Sequence, residues 1–235
     1  YFDIVTICAG AGIIAGAVSL TGLAYMLGRT IYTITAGNIV LVGLITMVIA
    51  VILGCAVPTP VVYVMTVSIL GTLAYMLNIP LIALHYFIFY YGIFAPLTPP
   101  VALAVMATSS ILQADYTKSA VRAALLSLPT WFIGWSVLLR PEVLLVTVDS
   151  WDWTSASSLI VGTLSPLVAS LSLMVAYFGL FFTIARFNNL LERLYFAVPI
   201  SLSLYAIYSN SLPLATASLI LFVAPILLKV LLARG

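Results

Sequence analysis

Charged side chains are scarce in this sequence of 235 residues. Asp, Glu, Lys and Arg together make up 6% of the chain, against about 25% in a soluble domain, whereas 64% of the residues are hydrophobic. Eight basic residues spread along the chain form no basic patch, so a nucleic-acid partner is excluded. The composition instead predicts a polytopic membrane protein that lies in a lipid bilayer.

Side chains that carry catalysis or bind metals are equally rare. Cys8 and Cys55 lie in apolar runs with no His or second Cys at metal-ligand spacing, so the two cysteines do not suggest a metal site. The sequence has no P-loop, no nucleophile beside a base and no carboxylate pair, so we expect no enzyme, no ATP-driven pump and no cofactor. No charged residue lies in the middle of an apolar run, which argues against a proton relay.

Long apolar runs are abundant, and their lengths predict the fold. About 20 residues cross the hydrocarbon layer as a helix, and the alternating pattern of a barrel is missing, so we expect an all-α polytopic membrane protein. The segment 28–38 is expected to be a polar link. The predicted spans are 4–27, 39–77, 81–112, 120–139, 155–183, 194–209 and 212–232.

Basic residues in the loops predict the orientation of these spans, because cytoplasmic loops carry an excess of Lys and Arg. One side holds only Arg29 and Arg140, so it is predicted to be external, together with the loop 141–153 and the opening of the segment 39–77. The C-terminus is then predicted to be cytoplasmic. That side holds the other six basic residues: Lys118, Arg122, Arg186, Arg193, Lys229 and Arg234.

Prolines interrupt the apolar runs in two ways. Two clusters, in "GCAVPTP" and in "PLTPP", predict complete breaks, because proline cannot donate a hydrogen bond to the carbonyl four residues earlier. We expect a re-entrant helical hairpin at the first cluster and a proline-broken helix at the second. Isolated prolines within the spans predict kinks, at Pro129, Pro166, Pro199 and Pro225.

The carbonyls released by the two clusters are candidate ion ligands. The first cluster releases the carbonyls of Gly54 and Ala56, and the second releases those of Ala95 and Pro96. Irregular backbone at membrane depth survives only where it is buried in protein or lines a cavity. A carbonyl-rich helix end suits a hard cation such as Na⁺.

Two threonines and the following helix N-termini complete the predicted site. Thr59 and Thr98 lie inside the breaks and can each add a hydroxyl oxygen, while the N–H groups of a helix N-terminus suit a carboxylate. The predicted ion and substrate site comprises Gly54, Cys55, Ala56, Val57, Pro58, Thr59, Pro60, Ala95, Pro96, Thr98, Pro99 and Pro100.

Each of these features also has a simpler interpretation. The run "GCAVPTP" fits a tight cytoplasmic turn between two full spans, although the segment 39–76 holds no charged residue. The run "PLTPP" fits a two-proline hinge in a single span. His85, the one histidine, is either a hydrogen-bonded residue at the membrane interface or a group that titrates or binds substrate.

Three stretches carry a resemblance to a known family. The runs "LGCAVPTPVVYV", "ALHYFIFYYGIFAPLTPPVALA" and "NNLLERLYF" resemble the large, DctM-like membrane subunit of tripartite ATP-independent periplasmic (TRAP) transporters. The similarity is greatest to the fused, TAXI-type branch with extra C-terminal helices. The chain would then be the C-terminal half of such a subunit.

The resemblance implies a sodium-driven elevator transporter of the ion-transporter superfamily, built from two inverted repeats. Residues 54–60 would form the tip of the second-repeat hairpin, and residues 97–100 the joint of its broken helix. Na⁺ would be the coupling ion, and an extracytoplasmic binding protein would deliver an organic anion such as a dicarboxylate. The first repeat and the small membrane subunit would precede Tyr1.

The resemblance also implies a functional division of the chain. Residues 1–36 would be a scaffold helix with a linking arm, 37–113 the transport-domain hairpin and broken helix, 114–140 the last core helix, and 141–235 an external loop with extra helices. The expected function is the inner-membrane permease part of a sodium symporter for organic acids. A structural scaffold subunit of a larger membrane complex is the alternative.

Overall fold

A computed structural model describes residues 9–10, 12–13, 16–17, 20–54, 59–99, 102–145, 148, 151–178, 180–181, 185–187 and 190–232. The fold is all-α, as predicted, and it divides into two compact units, Tyr1–Ser127 and Leu128–Gly235. The predicted span 4–27 lies largely outside the described residues. Among these residues, four helical stretches are long and apolar enough to cross a membrane: Tyr116–Leu139, Trp153–Phe178, Leu190–Ser209 and Leu212–Leu231. The first and the third each contain a short turn that divides them into two helices.

The first unit contains the two proline-broken segments as pairs of shorter apolar helices. Its helices are α1 (Leu23–Ile34), α2 (Ile39–Gly54), α3 (Thr59–Leu70), α4 (Thr72–Met76), α5 (Leu81–Phe94), α6 (Leu103–Leu112) and α7 (Tyr116–Ser127). Helix α2 packs against α3 and α5, and a 3-10 turn at Ala95–Leu97 contacts α2, α5, α6 and α7.

Short polar side chains set the starts of two of these helices. The Asn38 side-chain oxygen accepts hydrogen bonds from the N–H groups of Val40 and Leu41, at 2.9 and 3.2 Å, at the start of α2. The Asp115 carboxylate accepts one from the N–H of Lys118, at 2.8 Å, at the start of α7. These acceptors satisfy N–H groups that have no partner within their own helix.

The polar link predicted at 28–38 is wrong over most of its length, because helix α1 extends to Ile34. The threonine hydroxyls of this segment find hydrogen-bond acceptors within the helix. Thr30 donates to the carbonyl of Met26 and Thr33 to that of Arg29, both at 2.8 Å. Threonines that bond back to the preceding turn are compatible with a helix, so only a short turn separates α1 from α2.

The second unit is a helical bundle. Its helices are α8 (Trp131–Leu139), α9 (Trp153–Phe178), α10 (Leu190–Tyr195), α11 (Ala197–Ser209) and α12 (Leu212–Leu232). Helix α9 packs against α8, α11 and α12, and two 3-10 turns, Leu128–Thr130 and Pro141–Leu144, flank α8.

The predicted span 155–183 ends earlier than expected. Helix α9 stops at Phe178, and a two-residue ladder follows in which β1 (Leu180–Phe181) pairs antiparallel with β2 (Ala185–Arg186). The ladder returns the chain to the bundle, where Phe187 is buried and its ring meets that of Phe196 at 5.0 Å.

The isolated prolines differ in their effects. Pro166 lies inside α9 without interrupting it, and the Gly162 carbonyl that it deprives of a donor accepts a hydrogen bond from the Ser136 hydroxyl. Pro225 also lies inside an uninterrupted helix, α12. Pro199 lies near the start of α11, just after the one-residue turn at Phe196 that separates it from α10.

Two long-range contacts in the second unit agree with the predicted alternation of its spans. Lys229, predicted on the cytoplasmic side, forms an ion pair at 2.6 Å with Glu192, which neighbours Arg193, a residue predicted on the same side. Arg140, predicted on the external side, donates to the carbonyls of Ile207 and Tyr208 at 2.7 and 2.8 Å. The ends of α8 and α11 therefore lie on one side of the bundle.

Arg140 caps α11 from outside that helix, and its removal has a predictable cost. Arg140→Ala leaves two carbonyls of the last turn without their charged donor, so we expect a loss of about 1.5–3 kcal/mol of unfolding free energy. Thermal unfolding in detergent would measure it. Arg122→Ala, which removes an exposed arginine of α7, is the control and should change little. Equal melting temperatures for the two variants would contradict the capping role.

Asp152 caps the start of α9 and should titrate abnormally. Its carboxylate accepts hydrogen bonds from the Ser155 N–H and the Thr154 hydroxyl, which lower the pKa of Asp152 from 3.8 to about 2. Since the folded pKa lies below the ordinary value, the cap stabilises the helix above pH 3.8, and this contribution is lost as the pH falls through about 2. Carbon-13 NMR of the carboxyl group would follow the titration, and a midpoint near pH 4 would contradict it.

Candidate functional site

The two predicted breaks meet in the first unit. Gly54, the last residue of α2, is buried, and a Cβ atom added to it would overlap the Cβ of Ala95, the first residue after α5. The same added atom would lie 3.5 Å from Val62 Cγ2 and 3.6 Å from the carbonyl oxygen of Gly92. The end of α2 therefore rests directly on the joint that follows α5.

Helix α3 also approaches the end of α5, close to Gly54 and Ala95. A Cβ atom added to Gly92 would lie 3.7 Å from Val62 Cγ1 and 3.8 Å from Thr59 Cγ2, both of α3. Gly54, Thr59, Val62, Gly92 and Ala95 thus form one cluster, which we call the hairpin–joint contact. It brings together residues from both predicted breaks, with glycines where the backbones approach most closely.

The predicted broken helix is confirmed. After α5 the chain forms the 3-10 turn, becomes extended at Thr98 (φ −106°, ψ 139°), and resumes as α6 at Leu103. Ala102, which precedes α6, is buried and adopts a left-handed conformation with φ 37° and ψ 56°. Alanine in this region is strained, as is common for backbone held in place at functional sites.

The Ala95 carbonyl, predicted to be unpaired, has local partners. It accepts hydrogen bonds from the Thr98 hydroxyl and the Thr98 N–H, both at 3.2 Å. Thr98 is buried, so this turn replaces the donor that Pro99 lacks. The prediction of an unpaired Ala95 carbonyl is therefore wrong. The Thr98 hydroxyl oxygen donates its proton to that carbonyl but keeps its lone pairs for a ligand.

The remaining site residues have different positions. Thr59 and Pro96 are half-buried, whereas Pro60 and Pro99 are exposed. Cys55, Ala56, Val57, Pro58 and Pro100 lie outside the described residues.

Neutral oxygens are what this region offers to a cation. No group of three or more His, Cys, Asp or Glu side chains that could hold a metal occurs in the parts of the chain the structure describes. A cation at the hairpin–joint contact would thus be bound by hydroxyl and carbonyl oxygens. Such a donor set suits hard cations and not the softer transition metals.

His85 is hydrogen-bonded, in agreement with one of its two interpretations. Its Nδ1 lies 2.7 Å from the Tyr63 hydroxyl, and the Tyr63 ring also meets Phe89 edge-on at 6.0 Å. The pair joins α3 to α5 on the same two helices that contribute to the hairpin–joint contact. The neighbouring aromatic residues of α5 serve as packing, with Phe87 and Tyr91 fully buried at a ring separation of 4.7 Å.

Two residues of the hairpin were missed by the sequence analysis. Thr46 in α2 and Thr66 in α3 are completely buried, and their hydroxyls have no hydrogen-bond partner among the described residues. They lie eight residues before Gly54 and seven after Thr59, so the helical rise of about 1.5 Å per residue puts them at similar depth in the hairpin. The nearly equal spacing of the two threonines from "GCAVPTP" is the sequence feature that could have identified them.

Comparison with known proteins gives one match. The family model described as "Tripartite ATP-independent periplasmic transporter, DctM component" matches residues 1–151, which include the hairpin, the joint and α6 to α8. The chain matches none of the curated proteins and none of the solved structures with which it was compared. The match covers more than half of the sequence, so this multi-pass membrane chain belongs to the DctM component family of tripartite ATP-independent periplasmic transporters.

Proposed function

We propose that this chain is the permease part of a sodium-coupled transporter that takes up organic acids delivered by an extracytoplasmic binding protein. The observation that carries the proposal is the hairpin–joint contact, in which Gly54 rests on Ala95. An ion bound at this contact would hold the hairpin against the broken helix. Ion binding and hairpin position would thereby be coupled, as a symporter requires.

The chemistry of the joint supports Na⁺ as the ion. The Thr98 oxygen is buried beside the carbonyl of Ala95, and both are neutral oxygen ligands. The hydrogen bond between them, at 3.2 Å, is long for a hydroxyl donor, so a cation could replace it at modest cost. Transporters commonly bind their coupling ions at such interrupted helices.

The start of α6 supports an organic anion as the substrate. This ten-residue helix begins at Leu103, directly after the joint, and carries no charged side chain that could repel an anion. The positive end of a helix dipole attracts carboxylates. We therefore propose a carboxylate substrate bound next to the ion, with α3, which begins at Thr59, as the second helix N-terminus.

Thr98 provides the test. In proteoliposomes that hold the full-length protein, with its binding protein and substrate supplied outside, we expect Thr98→Val to raise the Na⁺ concentration for half-maximal uptake about tenfold, the effect of about 1.4 kcal/mol. Thr98→Ser keeps the hydroxyl and should stay close to wild type. An unchanged sodium requirement in Thr98→Val would contradict the ion assignment.

Thermal unfolding separates ion binding from ordinary stability. A ligand that binds only the folded protein raises its melting temperature. We expect Na⁺, but not K⁺, to raise the melting temperature of the wild type, and Thr98→Val to lose this increment. If Na⁺ and K⁺ have equal effects on the wild type, the alternative of a structural scaffold subunit is favoured.

A further inference from the structure

Helix α9 carries three serines at intervals of seven residues. Ser158, Ser165 and Ser172 are 2%, 0% and 0% exposed. Seven residues make nearly two helical turns, so the three hydroxyls form one stripe along the buried face. Within the part of the chain that the structure describes, none of these hydroxyls has a hydrogen-bond partner.

The helices packed against α9 carry matching polar groups. Ser203 of α11 is fully buried, and its hydroxyl is also unpartnered among the described residues, as is the side-chain oxygen of Asn210 just after α11. Ser218 of α12 is fully buried and donates to the carbonyl of Ala215 at 2.8 Å, which leaves its oxygen able to accept.

Packing in the bundle fixes the relative heights of these groups. Val161, Ala206 and Ala215 form one buried cluster, while Val168, Phe196 and Phe222 belong to another. Higher residue numbers in α9 and α12 therefore go with lower numbers in α11, so α11 is antiparallel to both. The rings of Phe196 and Phe222 lie 5.9 Å apart, which agrees with their place in one cluster.

From the first cluster, three serines are reached in the same direction. Ser165 lies four residues after Val161, Ser203 three before Ala206, and Ser218 three after Ala215. At about 1.5 Å per residue these steps are about 6, 4.5 and 4.5 Å, so the serines share one level between the two apolar clusters. In the opposite direction, Ser158 and Asn210 share a second level near the end of α11.

Unpaired hydroxyls in a dry helical core are unfavourable, and serine has a simple way to avoid them. Ser201 and Ser209, on the exposed face of α11, donate to the carbonyls of Val198 and Tyr205 at 2.9 and 2.8 Å. The buried serines of α9 and α11 do not use this arrangement. Buried polar groups that lack a protein partner are commonly bonded to internal water, which makes about three hydrogen bonds.

We propose that the second unit holds bound water at two levels, one joining Ser165, Ser203 and Ser218, and one joining Ser158 and Asn210. The ligand is a water molecule, for which three hydroxyl groups from three helices provide both donors and acceptors. Such a site would fix the relative positions of α9, α11 and α12 by hydrogen bonds in a core that otherwise packs apolar side chains. It is independent of the proposed transport function and lies beyond the matched residues 1–151.

A double-mutant cycle in the full-length protein in detergent tests the water proposed to join Ser165, Ser203 and Ser218. We expect Ser165→Ala and Ser203→Ala each to lower the melting temperature by about 2–4 °C. The double variant should melt close to the less stable single variant, because either substitution already removes the same water. Ser201→Ala, on the exposed face of α11, is the matched control and should have little effect.

The opposite results would overturn the proposal. If the core is dry, alanine removes an unsatisfied polar group, and each single variant keeps or raises the melting temperature. Fully additive losses would show that the two hydroxyls have separate partners.

Solid-state NMR in deuterated lipid gives a readout that stability alone would not move. We expect magnetisation transfer from water to Ser165 and Ser203, and none to Ala169, which is equally buried on α9. Transfer to Ser203 should be lost in Ser165→Ala. Equal signals at the serines and at Ala169, or none at the serines, would overturn the bound-water assignment.

Discussion

Gly54→Ala is expected to destabilise the protein and to abolish uptake, although it adds only one methyl group. The new Cβ would occupy the position of the Ala95 Cβ, in a contact where neither backbone can retreat without moving α2 or the joint. Overpacking of a well-packed site typically costs about 1–3 kcal/mol. Thermal unfolding and sodium-driven uptake of the full-length protein would measure the two effects.

The same contact offers a rescue and a control. Ala95→Gly in the Gly54→Ala background moves the methyl group to the other side of the contact, so it should recover most of the lost stability. Gly92→Ala adds a methyl group to the same cluster at ordinary distances of 3.7 and 3.8 Å and should be tolerated. If Gly54→Ala and Gly92→Ala prove equally harmless, the close approach of the hairpin to the joint is wrong.

Replacement of both Pro99 and Pro100 by alanine should have the second large effect. Alanine restores backbone N–H groups and favours a helix by about 3 kcal/mol per residue over proline, so α5 should extend through the joint towards α6. The extended backbone at Thr98 and the left-handed Ala102 would be lost. We expect a folded protein whose sodium-driven uptake falls to the level of vesicles without protein.

An isolated proline is the appropriate control for this double variant. Pro225 lies inside α12, which continues through it. Pro225→Ala should also restore a backbone N–H, yet it should leave uptake unchanged because no break is repaired. Normal uptake by the Pro99→Ala, Pro100→Ala variant, with retained stability, would show that the broken joint is not required for transport.

The proposed ion and substrate chemistry and the bound water in the second unit can fail independently. The first depends on Thr98, Ala95 and the hairpin tip, all in the first unit. The second depends on serines of α9, α11 and α12, which no transport step uses. Sodium-dependent uptake therefore tests the former, and water contact at Ser165 and Ser203 tests the latter.

Much of the fold was predictable from hydropathy. The spans expected at 120–139, 155–183, 194–209 and 212–232 correspond to four apolar helical stretches, with the second shortened at its end. Apolar length decides whether a segment can cross the hydrocarbon layer, and that property belongs to each segment alone. The broken helix at "PLTPP" was predictable for a similar reason, because adjacent prolines cannot continue a helix.

Properties that depend on a distant partner were not predictable. The carbonyl of Gly162, which Pro166 deprives of its helical donor, accepts a hydrogen bond from the Ser136 hydroxyl, on a different helix. Sequence patterns report how many donors a segment lacks, and not which neighbour supplies them.

The sequence by itself determined that this chain is an all-α membrane protein with two breaks and without charge in its apolar spans. Only the tertiary structure decided that the breaks meet at Gly54 and Ala95, that the Ala95 carbonyl bonds to Thr98, and that buried serines share a level. Local composition fixes local conformation, because propensity and hydrophobicity act over a few residues. Contacts between residues far apart in the chain depend on how the helices pack, which no single segment encodes.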